Sequence, residues 1–107
     1  MKKIINWFKN IFGIGNYKLL FVQELPQNLN KMTVYVEGNI KTHEKYYAYF
    51  ICPCGCGDIL TLNLIDDVSP VWRIKEDHRK FSIHPSIWRK GNCKSHFWIK
   101  QNKVRWV

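Results

Sequence analysis

The chain has 107 residues, 46% of them hydrophobic, with five Trp, five Tyr, six Phe and a formal net charge of +9. That length accommodates a single domain, and the apolar content excludes an intrinsically disordered chain. A core can form at this size, but its margin is thin enough for a bound metal to matter.

Residues 2–12 read as an amphipathic helix. At about 100° per residue, Ile4, Ile5, Trp7, Phe8, Ile11 and Phe12 share one face, and Lys2, Lys3, Asn6, Lys9 and Asn10 the other. Gly13 and Gly15 end it. The expected organisation is therefore a helix over 1–14 ahead of a β-rich metal-binding domain over 15–107. Such a helix can pack on its own domain or dock on a partner. Trp and Phe opposite Lys also suit weak contact with an anionic membrane. Met1-Lys2-Lys3 resembles the start of a signal peptide, but Lys9 and Asn10 interrupt the apolar run and no clear cleavage site follows. No stretch approaches a transmembrane length. A cytoplasmic chain starting near residue 1 is expected.

Everything after Gly15 reads as strands and turns. Lys18 to Val22 is β-rich and is followed by Pro26. Met32 to Val36 alternates, and Glu37-Gly38-Asn39 signals a turn. Tyr46 to Ile51 is aromatic and leads into a run of cysteines. Leu60, Leu62 and Leu64 share one face of the next strand. Val71–Ile74 and Phe81–Ile83 flank a turn at 76–78. Phe97–Ile99 and Val104–Trp106 flank Gln101-Asn102. The expected fold is mainly β: a small zinc-stabilised antiparallel sandwich or barrel.

The cysteines argue for metal rather than disulfides. Cys52, Cys54 and Cys56 are separated by single residues, so bridges among them would be strained, and only Cys93 is distant. Clustered thiols suit a reducing compartment. Cys52-Pro53-Cys54-Gly55-Cys56-Gly57 lies between two strands, where glycines let amides turn towards thiolate sulfurs. Cys93-Lys94-Ser95-His96 supplies a second, sequence-distant pair. Five candidates therefore compete for four tetrahedral positions: Cys52, Cys54, Cys56, Cys93 and His96. Cys54, Cys56, Cys93 and His96 make one set, with Cys52 behind them, and Cys52 with Cys54 makes another pair. Zinc is the expected metal. A two-iron cluster on three cysteines and one histidine is the alternative.

From Arg73 onward there are ten Lys or Arg residues against Glu76 and Asp77. A basic segment favours polyanions, and Trp88, Phe97, Trp98 and Trp106 interleave with it, as nucleic-acid binding requires. No catalytic residue emerges. Ser95 beside His96 lacks a third member, no metalloprotease or deaminase motif is present, and Asp58 is the carboxylate nearest in sequence to the cysteines.

The pattern Cys54-Gly55-Cys56-Gly57, Leu62-Asn63-Leu64, Trp72, Pro85-Ser86-Ile87, Cys93-Lys94-Ser95-His96-Phe97-Trp98-Ile99 and Trp106 resembles a bacterial domain-of-unknown-function family numbered 6527. The resemblance covers about residues 18–107. Trp88-Arg89-Lys90 departs from the Gly-Asn that many relatives carry. The resemblance implies a small zinc-binding protein, and proximity to bacterial ubiquitin-like conjugation implies an accessory role. The expected function is thus a zinc-stabilised accessory or protein-interaction module, with catalysis left open and not favoured. Nucleic-acid binding and thiol or iron–sulfur redox chemistry are the alternatives.

Overall fold

The computed structural model describes residues 16–107, so the helix expected over 1–14 lies outside the described residues. Eight strands follow in order: β1 Lys18–Val22, β2 Thr33–Asn39, β3 Glu44–Ile51, β4 Ile59–Asn63, β5 Arg73–Asp77, β6 Lys80–Trp88, β7 His96–Lys100 and β8 Lys103–Trp106. They form two four-stranded sheets, β1-β2-β3-β4 and β5-β6-β7-β8. Strand neighbours in sequence are neighbours in space, which is the easiest order for short connections.

Alternation explains the layers. Val34, Val36, Ala48, Phe50, Leu60 and Leu62 point inward from the first sheet. Phe81, Ile83, Ile87, Phe97 and Ile99 do so from the second. The faces meet in one core, in which the Phe50 and Phe97 rings lie edge to face with centroids 6.3 Å apart. Tyr17 closes one end, donating its amide to the Asn102 carbonyl and setting its ring across Phe50.

Two features depart from a regular antiparallel sandwich. The first is that β1 and β2 run parallel, Lys18 pairing with Thr33 and Val22 with Glu37. Alternation marks which residues face inward, but it carries no information on strand direction. The second lies between β6 and β7. Ile83 pairs with Ile99 and Ile87 with Phe97, so three residues, His84 to Ser86, stand opposite Trp98 alone. The His84–Pro85 peptide is cis. Bulges of this kind re-aim side chains at the sheet surface.

The crossing from sheet to sheet is also specified. The Asn63 side-chain amide donates to the carbonyls of Ile65, Val68 and Pro70, and the Trp72 amide donates to the Asn63 carbonyl at 2.8 Å. This loop delivers Trp72 beside β6, where its indole Nε1–H donates to the Ser86 carbonyl at 3.3 Å.

Ile99 is fully buried in β7. Ile99→Ala should lower stability by about 2–5 kcal/mol, from lost transfer energy and the cavity left behind. A urea denaturation midpoint that does not move would show the two sheets to be less closely packed than described.

Candidate functional site

The turn after β3 and the connection between β6 and β7 meet at one point. Cys52, Cys54, Cys56 and Cys93 place their sulfurs within 4.8 Å of one another. Cys52 Sγ is 3.4 Å from Cys54 Sγ and 3.7 Å from Cys93 Sγ. Tetrahedral zinc with bonds of ~2.3 Å would hold its sulfurs ~3.8 Å apart, so the group is already close to the size a metal needs. The four thiols are free rather than bridged, and together they can hold a metal ion.

Local backbone geometry explains the convergence. The Cys52 amide donates to the Asp58 carbonyl at 2.8 Å, closing the knuckle, and the Gly55 amide donates to the Cys52 carbonyl. Gly55 and Gly57 have φ of 93° and 86°, a region that suits glycine. The Cys56 amide points at Cys54 Sγ, 3.3 Å away. On the other side, Arg89 donates its amide to the Ser95 carbonyl at 2.7 Å, pinching the loop that carries Cys93.

Charge surrounds the sulfurs. The Arg89 guanidinium lies 3.3 Å from Cys93 Sγ and 3.6 Å from Cys56 Sγ, and 3.1 Å from the Asp58 carboxylate, which Asn92 also contacts. Hydrogen bonding from the Ser95 side chain and backbone pulls the Cys93 thiol down to about 6. Burial pushes Cys52 up to about 12. Hydrogen bonding from Ser95, then from Cys56, lowers Cys54. The thiols therefore differ in readiness to ionise, and Cys52 is the buried one.

His96 is not in this group. It opens β7 between two buried residues, Ser95 and Phe97, and so projects from the opposite, outward side. There its Nε2 lies 2.9 Å from Ser86 Oγ. The two are neighbours because Trp88 pairs with His96 across the β6–β7 ladder, and Ser86 precedes Trp88 by two residues. Trp88 stacks on the imidazole, with ring centroids 5.1 Å apart and planes inclined by 13°. Among the described residues, no carboxylate contacts His96. A hydroxyl held against an imidazole nitrogen is the arrangement that activates a serine nucleophile.

Residues 21–107 match the family model described as BubE, bacterial ubiquitination-like system serine protease. The chain belongs to the BubE family. No curated protein and no solved structure gives a significant match. The BubE match supports the bacterial family and the link to ubiquitin-like modification that the cysteine and Pro-Ser-Ile pattern implied. The number 6527 is not part of that description.

For a BubE chain, sequence reasoning finds the four cysteines and the Cys-x-x-His segment, but places His96 with the sulfurs. The structure places Cys52 with them instead. It also adds Ser86, Trp88 and Trp72, which the motif Pro85-Ser86-Ile87 and the isolated tryptophans signal only faintly. Counting back from the Cys93–His96 connection along a β6 extended to Trp88 would have set Ser86 near His96.

At Gly55 and Gly57 an added Cβ meets nothing within 4 Å, so only the backbone resists substitution. Gly55→Ala and Gly57→Ala should each destabilise by about 1–2 kcal/mol. A melting temperature unchanged in both variants would mean that the knuckle does not need its left-handed residues.

Proposed function

We propose that this protein is a serine hydrolase acting on a polypeptide in a bacterial ubiquitin-like modification system. Ser86 is the nucleophile, His96 the general base, and Cys52, Cys54, Cys56 and Cys93 hold a structural zinc. The observation that carries this reading is the 2.9 Å approach of Ser86 Oγ to His96 Nε2 on the outward sheet face. The family description supports it.

The chemistry follows from the pair. Ser86 Oγ attacks the carbonyl carbon of the scissile amide while its proton passes to His96 Nε2. The imidazolium then returns that proton to the leaving nitrogen. Water, deprotonated by His96, then attacks the acyl-serine ester; the acyl C–Oγ bond breaks, the imidazolium returns the proton to Ser86 Oγ, and the acid is released. The pair needs Nε2 free to accept, with the ring proton on Nδ1. In place of a carboxylate, the Trp88 ring holds the imidazole plane, and its π face favours the cation formed after proton transfer. Trp72 fixes the Ser86 backbone through its bond to the carbonyl.

Zinc takes a different part. Four sulfur ligands fill a tetrahedral shell, the pattern of structural sites. The ion would tie the β3–β4 turn to the β6–β7 connection and so hold the hairpin that carries both reacting groups. An accessory module without catalysis would need the same clamp, but it would have no use for a Ser–His pair. Nucleic-acid binding is less well supported, because Phe97 is in the core.

A fluorophosphonate probe should label Ser86, and Ser86→Ala and His96→Ala should each abolish labelling and lower hydrolysis at least about 10³-fold. Trp88→Ala should lower kcat more than it raises KM. If labelling persists at full rate in Ser86→Ala, the nucleophile lies elsewhere.

Protein isolated without oxygen or added metal should carry zinc in equimolar amount and show no visible bands. Iron with acid-labile sulfide would replace the zinc reading with the cluster. At pH 7 Cys93 is largely ionised, being held near 6, whereas Cys52 at about 12 is protonated. Zinc therefore displaces protons, and its affinity rises with pH. Calorimetric titrations in buffers of different ionisation heat should register that release, and a pH-independent affinity would argue against thiolate ligation.

A further inference from the structure

Ser86 and His96 sit on a sheet face with a pronounced charge. The strand register fixes which residues share it. Ile74 with Ile83 and Ile99 with Val104 point towards the core, so the intervening pairs point outward. Lys75 lies opposite Ser82, Lys80 opposite Asp77, Lys100 opposite Lys103, and Arg105 opposite Trp98. Lys90 reaches the same face and rests over the Trp88 ring at 4.9 Å. Among the described residues, none of these six cations takes part in an ion pair, whereas Arg73 on the same face is bound to Asp66 at 2.7 Å. The one carboxylate among the outward positions of these four strands, Asp77, is 3.3 Å from His78. The outward face of the other sheet is different. Lys18, Leu20, Tyr47 and Tyr49 lie on it, and the Tyr49 hydroxyl donates to the Glu37 carboxylate.

We infer that the outward face of β5–β8 docks an acidic polypeptide and presents its chain to Ser86. The inference rests on the Ser86–His96 reading for what happens after docking, but the docking itself follows from charge. Unpaired cations on the sheet face that carries the pair raise the local concentration of an anionic partner and orient it. A protein is favoured over nucleic acid by the state of the tryptophans. Base stacking needs open aromatic faces. Here Trp88, although 59% exposed, has His96 stacked on it and Lys90 above it. Trp98 has Lys100 above its ring at 4.5 Å and the His84 ring edge-on to it. The cations therefore cover the surfaces that bases would use, and leave ammonium groups facing carboxylates.

The test uses the full chain with two fluorescent peptides of equal length, one rich in glutamate and one rich in lysine, and a single-stranded DNA oligonucleotide. Fluorescence anisotropy should show the glutamate peptide binding about tenfold or more tighter than the lysine peptide at low salt, with the preference fading at high salt. The same peptide should slow fluorophosphonate labelling of Ser86. The double variant Lys100→Glu with Arg105→Glu should weaken it about tenfold, while Lys18→Glu on the other sheet should not. Equal binding of the two peptides, or indifference to the double variant, would overturn the inference. Tighter binding of the oligonucleotide without protection of Ser86 would assign the face to nucleic acid and also overturn it. If the charge preference holds while Ser86 is never labelled, the docking face stands and the hydrolase reading falls. Labelling without charge preference gives the reverse.

Discussion

Four sulfurs converging from two sheets are the constraint on which the rest of the molecule depends. Cys52, Cys54 and Cys56 belong to the turn leaving β3, and Cys93 to the connection between β6 and β7. Each sheet alone would be a marginal structure with one apolar face uncovered. The shared core supplies most of their adhesion, but a core slides and tilts where a coordination shell does not. Thiolates formed this close together would repel one another. Arg89 relieves part of that repulsion by standing between Cys56, Cys93 and Asp58, and a cation at the centre would relieve much more. A metal that binds only the folded arrangement contributes its binding energy to folding, which matters most in a chain of this size.

On the proposed reading, the same clamp lets the Ser86–His96 pair be built on only two strands. Ser86 and His96 face each other across one hairpin, and the connection of that hairpin is the segment held by Cys93 and Arg89. Fixing the connection fixes the register, and the register fixes the 2.9 Å separation. The bulge at His84–Ser86 adds the lateral shift that brings the hydroxyl to the imidazole. Trp72, arriving from the sheet-to-sheet loop, anchors the carbonyl of the same residue.

Much of the fold was legible because alternation survives in short strands. The runs ending at Val22, Ile51 and Trp106 were read close to their observed bounds. What alternation cannot express was missed. The parallel pairing of β1 with β2 depends on where a ten-residue loop leads, and no local pattern encodes that. Local alternation carries this strand only from Phe81 to Ile83, whereas the chain bulges at His84–Ser86 and continues to Trp88. The clustering of the four cysteines was legible in their spacing. His96 was misplaced because Cys-x-x-His is also a common ligand spacing. In this chain the third step along that segment enters a strand, where successive side chains alternate sides. Ser95 turns towards Cys93, and His96 consequently turns away.

That alternation separates two kinds of chemistry by a single residue. On the inner side, Ser95 serves the sulfur site. On the outer side, His96 serves the hydroxyl of Ser86. A four-sulfur shell leaves no position for a substrate oxygen, so on this reading the metal supports the site only through geometry, and acyl transfer rests on the serine and the imidazole. The division also explains the placement of charge. Near the thiols, Arg89 is engaged by Asp58 and by the sulfurs of Cys56 and Cys93. On the outer face, six cations take part in no ion pair among the described residues, while Arg73 is held by Asp66. A protein that used its cations mainly to stabilise thiolates would concentrate them at the knuckle. Their position on the face that carries Ser86 instead suits a partner that approaches the proposed nucleophile.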